Sequence, residues 1–127
     1  MRKRICLGLL IVLFFTACTP KQAVKNYYQA CLKGDFVRAE RHVVRAQKES
    51  CRLFADQMQK EDKAFLKKRH SEVRQVEIEK LDDTTAVASC LLIEGEKNMP
   101  YDTVRRTVLV KKEGLHWGVC NGMLFGY

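Results

Sequence analysis

The hydrophobic period of this chain changes once, at His70-Ser71, and that change limits the folds open to it. Before it, apolar residues recur at helical spacing. Val24, Tyr27, Tyr28, Cys31 and Leu32 fall at i, i+3, i+4, i+7 and i+8, one face of an amphipathic helix. Gly34 follows as a C-cap, and Asp35 can cap a second helix with the weaker stripe Phe36, Ala39, Val43 and Ala46. Ser50 then reads as the cap of a third helix. Its stripe is Cys51, Phe54, Ala55, Met58, Asp62, Phe65 and Leu66, with Arg52, Gln59, Lys60, Lys63 and Lys67 opposite. Beyond His70 side chains alternate instead, as in half-buried strands. Val76 and Ile78 alternate with Glu77 and Glu79, and further strands are expected over 84–93, 103–112 and 115–120. Asp82-Asp83, residues 95–98 and Glu113-Gly114 supply turns, and Asn121-Gly122 a further turn or bulge. Three helices followed by four antiparallel strands specify an α+β domain, with the N-terminal helices on one sheet face.

The last hairpin carries register information. A loop of Glu113 and Gly114 sets Lys112 opposite Leu115, Val110 opposite Trp117 and Val108 opposite Val119. These side chains then share one face, taken as the one against the helices.

The start of the chain is not part of this domain. Arg2-Lys3-Arg4 precedes an apolar run of eleven residues, 5–15, broken only by Gly8, and Thr16-Ala17-Cys18 follows with small residues. A cationic start, a short apolar stretch and a small-residue junction are the parts of a secretory signal. At about 1.5 Å rise per residue the run is too short to cross a hydrocarbon layer of ~30 Å. The whole chain has 23 Lys and Arg against 15 Asp and Glu. Without the three signal cations, 20 basic residues face 15 acids, so the remainder carries only +5. Phe15-Thr16-Ala17-Cys18 resembles the lipobox of bacterial lipoproteins, which usually has Leu where this chain has Phe15. The resemblance implies cleavage before Cys18, lipidation of its thiol and attachment to the membrane through that lipid. Thr19, in place of the Asp of inner-membrane retention signals, points to the outer membrane facing the periplasm. The expected organisation is a signal peptide over 1–17, lipidated Cys18 with a tether to residue 23, and a domain over 24–127.

Cys31, Cys51, Cys90 and Cys120 then lie in an oxidising compartment, where four thiols allow three pairings. They are either small buried hydrophobes or include a disulfide, and Cys31–Cys51, on neighbouring helices, is the first pair to inspect. No CxxC spacing supports redox or zinc chemistry, and His42, His70 and His116 are scattered. Neither a metal nor another cofactor is expected.

Two stretches carry a second resemblance. One runs over residues 24–40, with Tyr27-Tyr28, Ala30, Leu32, Gly34-Asp35-Phe36 and Ala39. The other runs from Thr107 to Val119 around Glu113-Gly114 and Trp117. They are similar to the first helical hairpin and the closing hairpin of the nuclear-transport-factor-2-like superfamily. With the lipobox, the chain resembles small bacterial lipoproteins of the putative lumazine-binding-type branch, over roughly residues 20–125. That implies a curved sheet around helices, a cystatin-like cone with a cavity. It implies no activity, because such folds host enzymes, ligand binders and interaction domains.

Three side chains are candidates for lining that cavity. Asp62 is a carboxylate in an apolar stripe, costly to bury unpaired, and a raised pKa would make it a general base. Tyr28 and Trp117 offer aromatic faces with a polar tip. Between Arg41 and His70 lie nine Lys or Arg and four Asp or Glu, a solvated face or one suited to anionic headgroups. These cations lack interleaved exposed aromatics, so nucleic acid is not an expected partner. The leading expectation is a non-enzymatic envelope lipoprotein whose domain binds a small ligand or an envelope protein. The alternatives are an isomerase- or dehydratase-type enzyme using Asp62, and a homodimer joined through the outer sheet face of Arg105, Thr107 and Leu109.

Overall fold

A computed structural model of the chain describes residues 19–96 and 98–120. The helical part comprises α1 (Pro20–Leu32), α2 (Phe36–Ala39), a 3-10 turn (Glu40–His42), α3 (Arg45–Gln57) and α4 (Lys60–Lys68). The strands are β1 (His70–Lys80), β2 (Thr85–Gly95), β3 (Asp102–Glu113) and β4 (His116–Cys120). They form one open antiparallel sheet in the order β1-β2-β3-β4. The α+β class and the switch at His70 are as the sequence indicates, with four helices rather than three. The expected signal segment, Cys18 and the expected Asn121-Gly122 turn lie outside the described residues.

α1 begins earlier than its apolar stripe. Thr19 is the N-cap, its Oγ1 accepting from the Gln22 amide at 3.1 Å, and Pro20 occupies the first helical position, where no N–H is needed. Residues 20–23 are therefore the first turn of a packed helix, not a tether, and Ala23 is fully buried. At the other end the Asp35 amide donates to the Ala30 carbonyl and the Gly34 amide to that of Cys31, with Gly34 at φ +76°. This is the left-handed cap that glycine permits.

The second and third helices depart from the expected pattern. Asp35 does cap α2, accepting from the Arg38 amide at 3.1 Å. The helix then stops, because the β-branched pair Val43-Val44 is drawn into extended backbone beside β4. Val43 makes a parallel bridge to Val119, and the Val44 amide donates to the Val119 carbonyl. Ser50 caps nothing and lies inside α3. That helix starts at Arg45, whose amide donates to Glu113 Oε1 at 3.0 Å. The stripe from Cys51 to Leu66 is also cut, since Met58 and Gln59 are extended and α4 starts afresh at Lys60.

Strand β1 carries a bulge. Arg74 pairs with Leu91 and Glu77 with Ser89, so Gln75 and Val76 oppose Cys90 alone, and Gln75 has φ +52°. The extra residue lets Val73, Val76 and Ile78 all join the core despite their odd spacing. In the last hairpin the loop is Gly114-Leu115, one residue on from the expected Glu113-Gly114. Glu113 pairs with His116, Lys112 with Trp117 and Val110 with Val119. The reason is Gly114 at φ +67°, at the first central position of a two-residue turn, where glycine is required. The move preserves parity, so Val108, Val110, Trp117 and Val119 remain on the buried face. Gly118 lets the 43–44 backbone close on β4, since a Cβ there would lie 2.7 Å from the Val44 nitrogen. α1 crosses the inner sheet face, and Val24, Tyr28, Cys31, Cys90, Val110 and Val119 form the innermost core.

Candidate functional site

The sequence candidates do not converge. Tyr28 and Trp117 are each 2% exposed and belong to the core. Tyr28 packs edge-on against Tyr27, and the Lys80 ammonium lies 5.8 Å from the Trp117 ring centroid. Burial holds both tyrosine hydroxyls well above the usual phenol range, so they stay neutral. Asp62 is exposed in the first turn of α4. The helix break at Met58-Gln59 resets the helical phase, which removes the reason to expect its carboxylate among apolar neighbours. It is open to solvent and does not line the cleft described below.

Among the described residues Cys31, Cys51, Cys90 and Cys120 are free thiols, so Cys31 and Cys51 are not joined. Burial pushes Cys31 up to about 12 and Cys90 up to about 11, so both are neutral and poor nucleophiles. Cys51 donates to the Phe36 carbonyl at 3.4 Å, which fixes α3 against α2. Among the described residues no group of three His, Cys, Asp or Glu is placed to hold a metal ion. Nor is any helix among them long and apolar enough to cross a membrane.

What the helices do build is a cleft outside the core. α3 is held to α2 by Cys51 and by the Phe36 and Phe54 rings, 5.0 Å apart. α4 touches the molecule elsewhere, at the α1–α2 corner. Leu66 sits on Gly34, and Lys33 Nζ donates to the Arg69 carbonyl at 3.0 Å. α4 itself buries no side chain. Between these two attachments remains a cleft of about 670 Å³, within the ~300–1,000 Å³ of small-molecule sites. Phe36, Val37, Ala55 and Ala64 give it apolar surface. Lys33, Arg38, Lys63 and Lys67 line it as well, with Asp35 as the single acid. A smaller recess of about 260 Å³ adjoins it, sharing Lys33, Asp35 and Arg38 and reaching Ser71, Glu72 and Val73 on β1.

The charges at this cleft differ from those around it. Arg52 pairs with Glu40 at 2.7 Å and Arg74 with Glu72 at 2.8 Å. Among the described residues Arg38, Lys63 and Lys67 form no ion pair. Asp35 uses one carboxylate oxygen as the α2 cap. The basic run from Arg41 to His70 thus contributes two cations to one concave site, and the α1–α2 corner adds two more. The run is visible in the sequence but its partition is not, because the α3–α4 break decides which lysines line the cleft.

No protein-family profile matches the chain, and neither a curated protein nor a solved structure matches it significantly.

Proposed function

We propose that this is a cell-envelope lipoprotein whose domain, of the nuclear-transport-factor-2-like type, is a non-enzymatic binding module. The cleft between α2 and α4 carries this reading. It joins an apolar floor to cations without an ion pair among the described residues, while the Tyr27 and Tyr28 hydroxyls and the Cys31 and Cys90 thiols are held neutral in the core. Four antiparallel strands packed by N-terminal helices on one face are compatible with that fold type.

The anchor follows from the lipobox-like Phe15-Thr16-Ala17-Cys18, with Cys18 as the lipidated residue. The capped helix starts right after it, so the domain would sit close to the headgroups of the outer membrane's periplasmic leaflet. Intact-mass spectrometry of the membrane-extracted protein tests the anchor. The expected species starts at Cys18 and is heavier by its acyl groups. A soluble protein with an unmodified N-terminus refutes the anchor. Binding is tested separately by mass spectrometry of small molecules co-purifying with the protein from its own envelope. A bound species lost on Ala64→Trp, which fills the cleft, supports the module. A species retained by that variant refutes the site.

A further inference from the structure

We infer that the α2–α4 cleft takes an anionic single-chain amphiphile, with its tail along Phe36, Val37 and Ala64 and its acidic head among Arg38, Lys63 and Lys67. The inference rests on the binding-module reading and names its ligand class. Three observations carry it. The volume, about 670 Å³, suits a small molecule and not a protein segment, whose interface would spread over a far larger face. The lining is divided in kind: Phe36 is buried at the floor, Val37 is 63% exposed, and cations stand around them. An exposed apolar residue beside a buried ring gains from an apolar tail. The cations outnumber the acid four to one, and three of them have no ion pair among the described residues. Like charges gathered in one concavity repel, and an anionic head relieves that repulsion through charge-assisted hydrogen bonds.

Neither half of such a ligand suffices alone. Lysines and an arginine in open water bind a bare anion weakly, because the pairing is screened and desolvation offsets it. The apolar floor alone does not distinguish one amphiphile from another. Together they select charge sign and chain at once.

The test is calorimetric titration of the mature chain, residues 18–127 with Cys18→Ser, using dodecyl phosphate below its micelle concentration. All buried core side chains of the described domain lie between Pro20 and Val119, so this chain carries the whole core. One-to-one saturable binding is expected. Inorganic phosphate and dodecyltrimethylammonium should each bind at least tenfold more weakly. Lys63→Glu with Lys67→Glu should weaken dodecyl phosphate at least tenfold. Lys68→Glu, on the same helix but outside the cleft lining, should leave it within twofold. All three positions are exposed, so the fold should survive, and a circular-dichroism melt verifies this. Equal weakening by Lys68→Glu, or binding only to phosphatidylglycerol vesicles, overturns the cleft in favour of a diffuse basic face. Equal binding of dodecyl maltoside overturns the anionic class while leaving the binding module standing. Absence of binding by every amphiphile overturns the inference, and retention of the envelope-derived species by Ala64→Trp separately overturns the cleft as the module's site.

Discussion

Leu66 Cδ1 lies 3.2 Å from the point where a side chain on Gly34 would begin, and this contact seats α4 on the α1–α2 corner. Gly34 is also at φ +76°, where an L side chain is strained. Gly34→Ala should therefore destabilise the domain by about 1–2 kcal/mol and displace α4. A urea melt measures the first effect. An unchanged midpoint would show that α4 does not rest on this corner.

Trp117 and Gly118 fix how β4 is held. Trp117→Ala should cost about 3–5 kcal/mol, as expected for truncating a buried indole. Gly118→Ala should also be severe, because its Cβ would meet backbone atoms of Val43 and Val44 at 2.7–2.8 Å and no side-chain motion relieves that. Gly114→Ala has nothing within 4 Å and bears only the left-handed strain of φ +67°. The predicted order of loss in chemical denaturation is therefore Gly118→Ala above Gly114→Ala. The reverse order would contradict the packing of the 43–44 segment on β4.

His42 gives the domain a pH dependence. Burial, and then the positive charges of His116, Arg38, Arg41 and Lys48, push its imidazole down to about 4 from the ordinary 6.5. Its folded pKa lies below the unfolded one, so the neutral ring contributes stability that is fully present above pH 6.5. That stability is lost as pH falls toward 4, because the unfolded chain takes the proton first. Partial exposure screens the effect, leaving roughly 1–3 kcal/mol between pH 7 and pH 4. Melts across that range should show a shallower slope for His42→Gln than for the wild type. Equal slopes would place the imidazole in water.

Part of this architecture is legible in local sequence. Gly34 and Asp35 announce the α1–α2 corner because a left-handed cap and an N-cap are made by the residues themselves. The strand boundaries are legible for the same reason, since alternation is a local pattern. The start of α3 is not, because its cap is Glu113, 68 residues away, and Val43-Val44 are extended by pairing with β4. Asp62 misled because the periodicity of 51–66 continues through Met58-Gln59 where the backbone does not. The cleft was hidden by the same break: nothing local says that Lys63 and Lys67 turn toward Arg38 while Asp62 does not. The hairpin register was displaced by one loop residue because the turn takes its glycine first and not second.

Ligand is expected in the α2–α4 cleft and not at the core aromatics. Amide and methyl NMR of residues 18–127 with Cys18→Ser, titrated with dodecyl phosphate, locates it. Saturable shifts are expected at Val37, Ala55, Ala64 and Lys67, with Tyr28, Cys90 and Trp117 unmoved. Shifts centred on Tyr28 and Trp117, with the cleft silent, would contradict this placement.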